Sequence, residues 1–189
     1  MDKIVLDIET KNSFADVGGR EYVSALEVSL VGAYSYNRDE YFCFGETQLN
    51  DLAEVLRGAG LVVGFALQRF DFPVLAKYMP FDIFKLKHLD ILEEIEGGMG
   101  RRIGLGVLAE ANLGMKKTGH GLESIELYKQ GKLEELKDYC LNDVKLTKEL
   151  YDLALKQGYL LIPSRNDGGV AQKVNFDWSE EILPQATLF

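Results

Sequence analysis

Cysteine, basic charge and long apolar runs are all scarce in this chain, and each scarcity removes a class of function. Of 189 residues only two are cysteine, Cys43 and Cys140, far apart and without a CxxC pair. No disulfide framework and no soft-metal site is expected from them. Lysine and arginine total 21 against 30 acids, a net charge of -9. That argues against a broad basic surface for sequence-independent nucleic-acid binding. It leaves room for a nucleic-acid enzyme, because bound divalent cations can supply positive charge where carboxylates cluster. No apolar run approaches the ~18 residues of a membrane span, so no membrane partner is expected. The start "MDKIVLD" runs straight into a strand-like segment. No signal peptide is read there, and a cytoplasmic protein is expected. The histidines are His88 and His120. His120 stands in "KKTGHGLES", beside Lys116 and Lys117, and suits a solvated loop better than a phosphate site.

What is present is an alternating α/β pattern. "KIVLDIE", "ALEVSLVGAYSYN" and "EYFCFGE" read as strands, with "NRDE" as a hairpin turn. "TQLNDLAEVLRGAG" reads as a helix capped by Thr47, "LVVGF" as a buried strand and "FDFPVLAKYM" as a helix with Pro73 in its first turn. "FKLKHLDIL" is expected to be a strand. "GLGVLAEANLG" and "HGLESIELYKQG" are short helices, and "KLEELKDYCLNDVKLTKELYDLALKQG" is the longest one. The pattern predicts a mixed five-stranded sheet flanked by helices. After Ile162 the composition shifts to "PSRNDGG", so residues 1–162 read as one domain and 163–189 as a loosely attached tail.

Four acids, on three stretches of chain, sit oddly in this pattern. In "IVLDIET", Asp7 and Glu9 are two apart on a strand and share one face, while Leu6 and Ile8 take the other. Adjacent like charges disfavour each other's ionisation, and a divalent cation removes that cost. Alone, D-x-E fits a solvated edge strand better than a metal site. In "YCLND", Tyr139 and Asp143 lie four apart on a helix face continued by Leu136, Leu146 and Leu150. A carboxylate on an apolar face needs water at its rim or a charged partner. Asp71 follows a buried strand and opens a helix, where capping is the commonest work for Asp.

Together, "DIET", "RFDFPVL" and "YCLNDVKLT" appear in order, each on the expected type of element. With "FADVGG", "LVVGF" and "LDIL", they make the chain resemble the DnaQ-like 3'→5' exonucleases of the DEDD superfamily, tyrosine variant. Within that group it is similar to the bacterial YprB-type ribonuclease H-like domain. The resemblance covers roughly Lys3 to Ile162. It implies a ribonuclease H-like fold and a catalytic set of Asp7, Glu9, Asp71, Tyr139 and Asp143. The four acids would hold two Mg²⁺ or Mn²⁺ ions, which suit hard oxygen ligands. Two ions about 3.5–4 Å apart clamp an in-line phosphoryl displacement in such sites. Asp7 would bridge the ions, and Tyr139 would orient the attacking water, since a phenol of ordinary pKa is not a strong base. The histidine variant needs His where this chain has Asp138.

The same resemblance places Thr10, Phe70 and Asp90 near the substrate, a single-stranded or frayed nucleic acid; the clamp-like tail described below is what favours DNA over RNA. One position departs from the family: Ala66 stands where Asn is usual. That weakens the expected hydrogen bonding around the second motif. It also motivates an alternative reading, a weakly active nucleic-acid-binding adaptor. The chain ends in Gln185-Ala186-Thr187-Leu188-Phe189, similar to the bacterial sliding-clamp-binding motif. An apolar end folded back on its own core explains it as well. If the motif is used, Gln185, Leu188 and Phe189 are the anchors, and a DNA repair or replication setting follows.

Overall fold

A computed structural model describes residues 1–115, 121–164 and 171–178. Lys116, Lys117, His120 and the clamp-like residues Gln185, Leu188 and Phe189 lie outside them.

The centre is a five-stranded sheet in the order β3-β2-β1-β4-β5. Its strands are β1 (Asp2–Thr10), β2 (Val28–Ser35), β3 (Glu40–Gly45), β4 (Ala59–Gly64) and β5 (His88–Asp90). β1, β2 and β3 form an antiparallel meander, whereas β4 and β5 run parallel to β1. The expected mixed α/β sheet is therefore what the chain forms.

β1 is the middle strand, and its alternation divides the molecule. Ile4, Leu6 and Ile8 enter one apolar cluster with Leu49, Leu52 and Leu56 of α1 (Leu49–Arg57) and Phe72 and Leu75 of α2 (Phe72–Leu75). Val5 enters the opposite cluster. There it meets residues of α3 (Ile91–Met99), α4 (Leu105–Leu113) and the long α6 (Leu133–Gln157), which packs across β1, β2 and β4. α5 (Gly121–Lys129) precedes α6. On the α6 face, β1 reads Val5, Asp7, Glu9: an apolar base, then acids toward the carboxyl end of the strand. Clefts beyond the carboxyl ends of parallel strands are the usual ligand sites of α/β sheets.

Four local expectations need correction. Thr47 does not cap α1. A 3₁₀ turn over Glu46–Gln48 leads into that helix, and the Gln48 side chain accepts the Gly45 N–H at 3.1 Å. The "FDFPVLAKYM" helix is broken up: a π-turn over Leu67–Asp71, then the single turn of α2, then a 3₁₀ turn over Ala76–Tyr78. "FKLKHLDIL" is not one strand. β5 has three residues, and Asp90 then caps α3, accepting from Leu92 N at 3.0 Å and Glu93 N at 3.4 Å. Finally, Ala171–Trp178 is not loose. β6 (Tyr159–Pro163) and β7 (Ala171–Asn175) form an antiparallel pair, and the Trp178 ring stacks on Tyr151 of α6 at 5.6 Å.

Candidate active site

Asp7 and Glu9 reach the α6 face because the strand period is two. Between Glu9 and Thr10 the pairing with β2 slips: Glu9 opposes Leu30, but Thr10 opposes Val28. This bulge turns the strand end, a feature common beside active sites.

The second motif arrives from β4. Ala66 has φ 75 and ψ 27, the left-handed region. For an L-residue other than Asn or Asp that conformation costs about 1–2 kcal/mol. The Ala66 N–H donates to Asp90 Oδ1 at 2.8 Å, and the Gln68 N–H to Asp90 Oδ2 at 3.2 Å. The π-turn then follows, and its Phe70 and Asp71 both line the cavity described below, with Phe70 also packed against the apolar cluster of Ile4, Leu6 and Ile8. Asp71 does not cap α2. Its carboxyl is pushed well above the usual carboxylate range by burial first and by the charge of Asp90 second. The backbone N–H groups of Asp71 itself and of Ile8 pull it back, and Glu9 adds to the rise. The acid therefore lies against β1.

The third motif comes from α6, where Tyr139 and Asp143 project one turn apart from the face that covers β1 and β2. All three motifs open on one cavity of about 260 Å³, lined by Asp7, Glu9, Thr10, Phe70, Asp71, Tyr139 and Asp143 with Ile8, Phe65 and Leu105. Asp7 is half-buried. Asp71 is 2% exposed, Asp143 3%, Tyr139 6% and Glu9 7%. At the rim the Phe14 and Phe70 rings meet edge to face at 5.9 Å, and the Arg20 guanidinium lies 5.2 Å from the Phe14 ring centroid.

So the structure brings together the five residues expected to be catalytic, with Thr10 and Phe70 beside them. It does not bring Asp90. Asp90 is buried, absent from the cavity wall, and accepts four backbone N–H groups, those of Ala66, Gln68, Leu92 and Glu93. It ties the second motif to the start of α3. Asp90→Ala is expected to lower stability by about 2–4 kcal/mol, since the orphaned donors cost about 1–3 kcal/mol each where they stay dry. A urea titration measures this; a loss below ~0.5 kcal/mol contradicts it.

One residue escaped the sequence reading. Cys140, set aside there as no metal ligand, is buried with its sulfur 4.0 Å from Asp7 Oδ2. Burial, then the charges of Asp7 and Glu9, push its thiol well above the ordinary range. Its place three residues before Asp143 on a helix was the available signal.

The donor set fits a hard divalent cation. Buried like charges crowd one cavity, and the oxygens are those Mg²⁺ and Mn²⁺ prefer. The comparisons with known proteins agree with the architecture. The family match spans residues 4–155. The chain belongs to the RNase_H superfamily. Among solved structures, this RNase_H superfamily member is similar to the family B DNA polymerase from the hyperthermophilic archaeon Pyrobaculum calidifontis. The TM-score is 0.64 at 16% identity, over 82% of this chain and 24% of the polymerase. The likeness is one of fold, and the chain spans about a quarter of that polymerase's length. No curated protein matches significantly. No helix among the described residues is long and apolar enough to cross a membrane.

Proposed function

We propose that this protein is a metal-dependent 3'→5' exonuclease acting on single-stranded or frayed DNA. The observation that carries the reading is the common cavity of Asp7, Glu9, Asp71, Tyr139 and Asp143, from three separate stretches of chain. Superfamily membership and the shared fold with a DNA polymerase support a nuclease acting on nucleic acid. The 3'→5' direction and the tyrosine-variant assignment rest on the motif resemblance.

Asp7, Glu9, Asp71 and Asp143 would hold the Mg²⁺ or Mn²⁺. When bound, divalent ions supply water activation and charge neutralisation for phosphodiester hydrolysis. The chain's own residues do the rest. Tyr139, one helical turn from Asp143, orients the attacking water through its hydroxyl. The Phe70 ring, braced by Phe14, offers an apolar face to a terminal base, and such stacking is worth about 1–3 kcal/mol. Thr10 donates its hydroxyl to Asn12 O at 2.9 Å, holding the turn after the bulge at the cavity edge.

The second reading, a weakly active adaptor tethered to a sliding clamp through Gln185, Leu188 and Phe189, has Ala66 as its motive. An end-labelled time course on matched DNA and RNA strands in Mg²⁺, Mn²⁺ and EDTA separates the two. The exonuclease reading expects mononucleotide release from the 3' end, faster on DNA and abolished by EDTA. Binding without cleavage favours the adaptor. Cleavage of circular single-stranded DNA would replace both with an endonuclease.

A further inference from the structure

Asp7 of β1 opposes Gly32 of β2, and Gly32 opposes Cys43 of β3. Opposed residues share a sheet face, so the three form one row beneath α6. The middle of the row has no side chain, and α6 fills the gap with Cys140. A Cβ at Gly32 would stand 2.8 Å from the Cys140 sulfur and 3.0 Å from a Val144 methyl. The gap lets the sulfur sit beside the acids. One oxygen of Asp7, one oxygen of Glu9 and Cys140 Sγ all lie within 4.8 Å of one another. Two donors on one tetrahedral ion, at about 2.0–2.2 Å for oxygen and about 2.3 Å for sulfur, stand roughly 3.5 Å apart. The Cys140 Sγ to Asp7 Oδ2 separation of 4.0 Å is within a small side-chain rotation of that spacing.

We propose that Cys140 adds a soft donor to this cavity, making an Asp7–Glu9–Cys140 site for Zn²⁺ or Cd²⁺ that overlaps the hard-cation site. The inference rests on the metal reading of the acidic cavity. A thiolate favours Zn²⁺ and Cd²⁺ far more than Mg²⁺, so these ions compete with Mg²⁺ or Mn²⁺ for the two shared carboxylates. The metal–sulfur bond forms as the S–H bond breaks, and the proton goes to solvent. No redox partner is needed. The nuclease would thus be shut off by zinc through a residue that need take no part in hydrolysis.

The test is a Cd²⁺ titration of the full reduced chain, followed by the ultraviolet sulfur-to-cadmium charge-transfer absorption. Wild type, Cys140→Ala, Cys140→Ser, Cys43→Ala and Asp7→Asn are compared, with circular dichroism showing that each is folded. Cys140→Ser keeps the side-chain volume should the alanine variant fail to fold. The band is expected to saturate at about one equivalent in wild type and Cys43→Ala. It should be absent without the Cys140 sulfur, and Cd²⁺ affinity should fall at least about tenfold in Asp7→Asn. A band that survives both Cys140 variants, disappears in Cys43→Ala, or ignores Asp7→Asn overturns the proposal. Mn²⁺-dependent cleavage without the band rejects the soft site and leaves the nuclease standing. The band without cleavage does the reverse.

Discussion

Replacing Asp7 with Asn is expected to lower Mn²⁺-dependent release of nucleotides by at least about a thousandfold, some 4 kcal/mol of transition-state stabilisation. The change is nearly isosteric and leaves β1 paired with β2 and β4 through backbone groups. Folding should therefore survive, which circular dichroism checks. The loss is large because Asp7 stands where the first motif, the Cys140 sulfur and the cavity floor meet. An amide cannot supply the charge a divalent ion needs. Asp143→Asn should act alike from the α6 side. Activity within tenfold of wild type in both variants would remove the site assignment.

Asp71→Asn should give opposite signs for activity and stability. Hydrolysis is expected to fall as in Asp7→Asn. The metal-free protein, however, should become more stable by about 1 kcal/mol or more, where each kcal/mol is ~2–4 °C in Tm for a chain of this size. The cause is the cost of keeping this carboxyl charged against burial and against Asp90 and Glu9. Because its folded-state pKa lies above the unfolded value, the folded protein binds the extra proton. Wild-type stability therefore falls as pH rises from the unfolded value through the folded one, and the full cost is present above that. The advantage of Asp71→Asn should vanish in acid, below the ordinary carboxylate range, and grow as pH rises toward the folded-state value. Thermal melts of both proteins across pH in EDTA measure it, and added Mn²⁺ should narrow the gap by stabilising only wild type. A lower Tm for Asp71→Asn at neutral pH in EDTA contradicts this account of the cavity.

The sheet and the acidic cavity were legible because both depend on short-range periodicity. Asp7 and Glu9 face one way by strand alternation, and Tyr139 and Asp143 align by helical spacing, whatever the rest of the chain does. Non-local relations were harder. Asp90 was placed near the substrate by resemblance alone, whereas in the fold both its oxygens accept backbone N–H groups of two segments. Reading "FKLKHLDIL" as one strand missed the D-x-x-E pattern of Asp90 and Glu93, a helix-start signal at the beginning of α3. Ala66 in a left-handed turn follows no propensity; the hydrogen bonds to Asp90 hold it there. Cys140 could not be seen at the site from composition, because its position depends on a glycine more than a hundred residues earlier leaving room beneath the helix.

The most direct test of a shared cation site is diffraction from Mn²⁺-soaked crystals at a wavelength where manganese scatters anomalously. The account predicts anomalous density within bonding distance of Asp7 and of at least one carboxylate from Asp71 or Asp143. Manganese confined to surface acids, with the cavity empty at saturating metal, would contradict it.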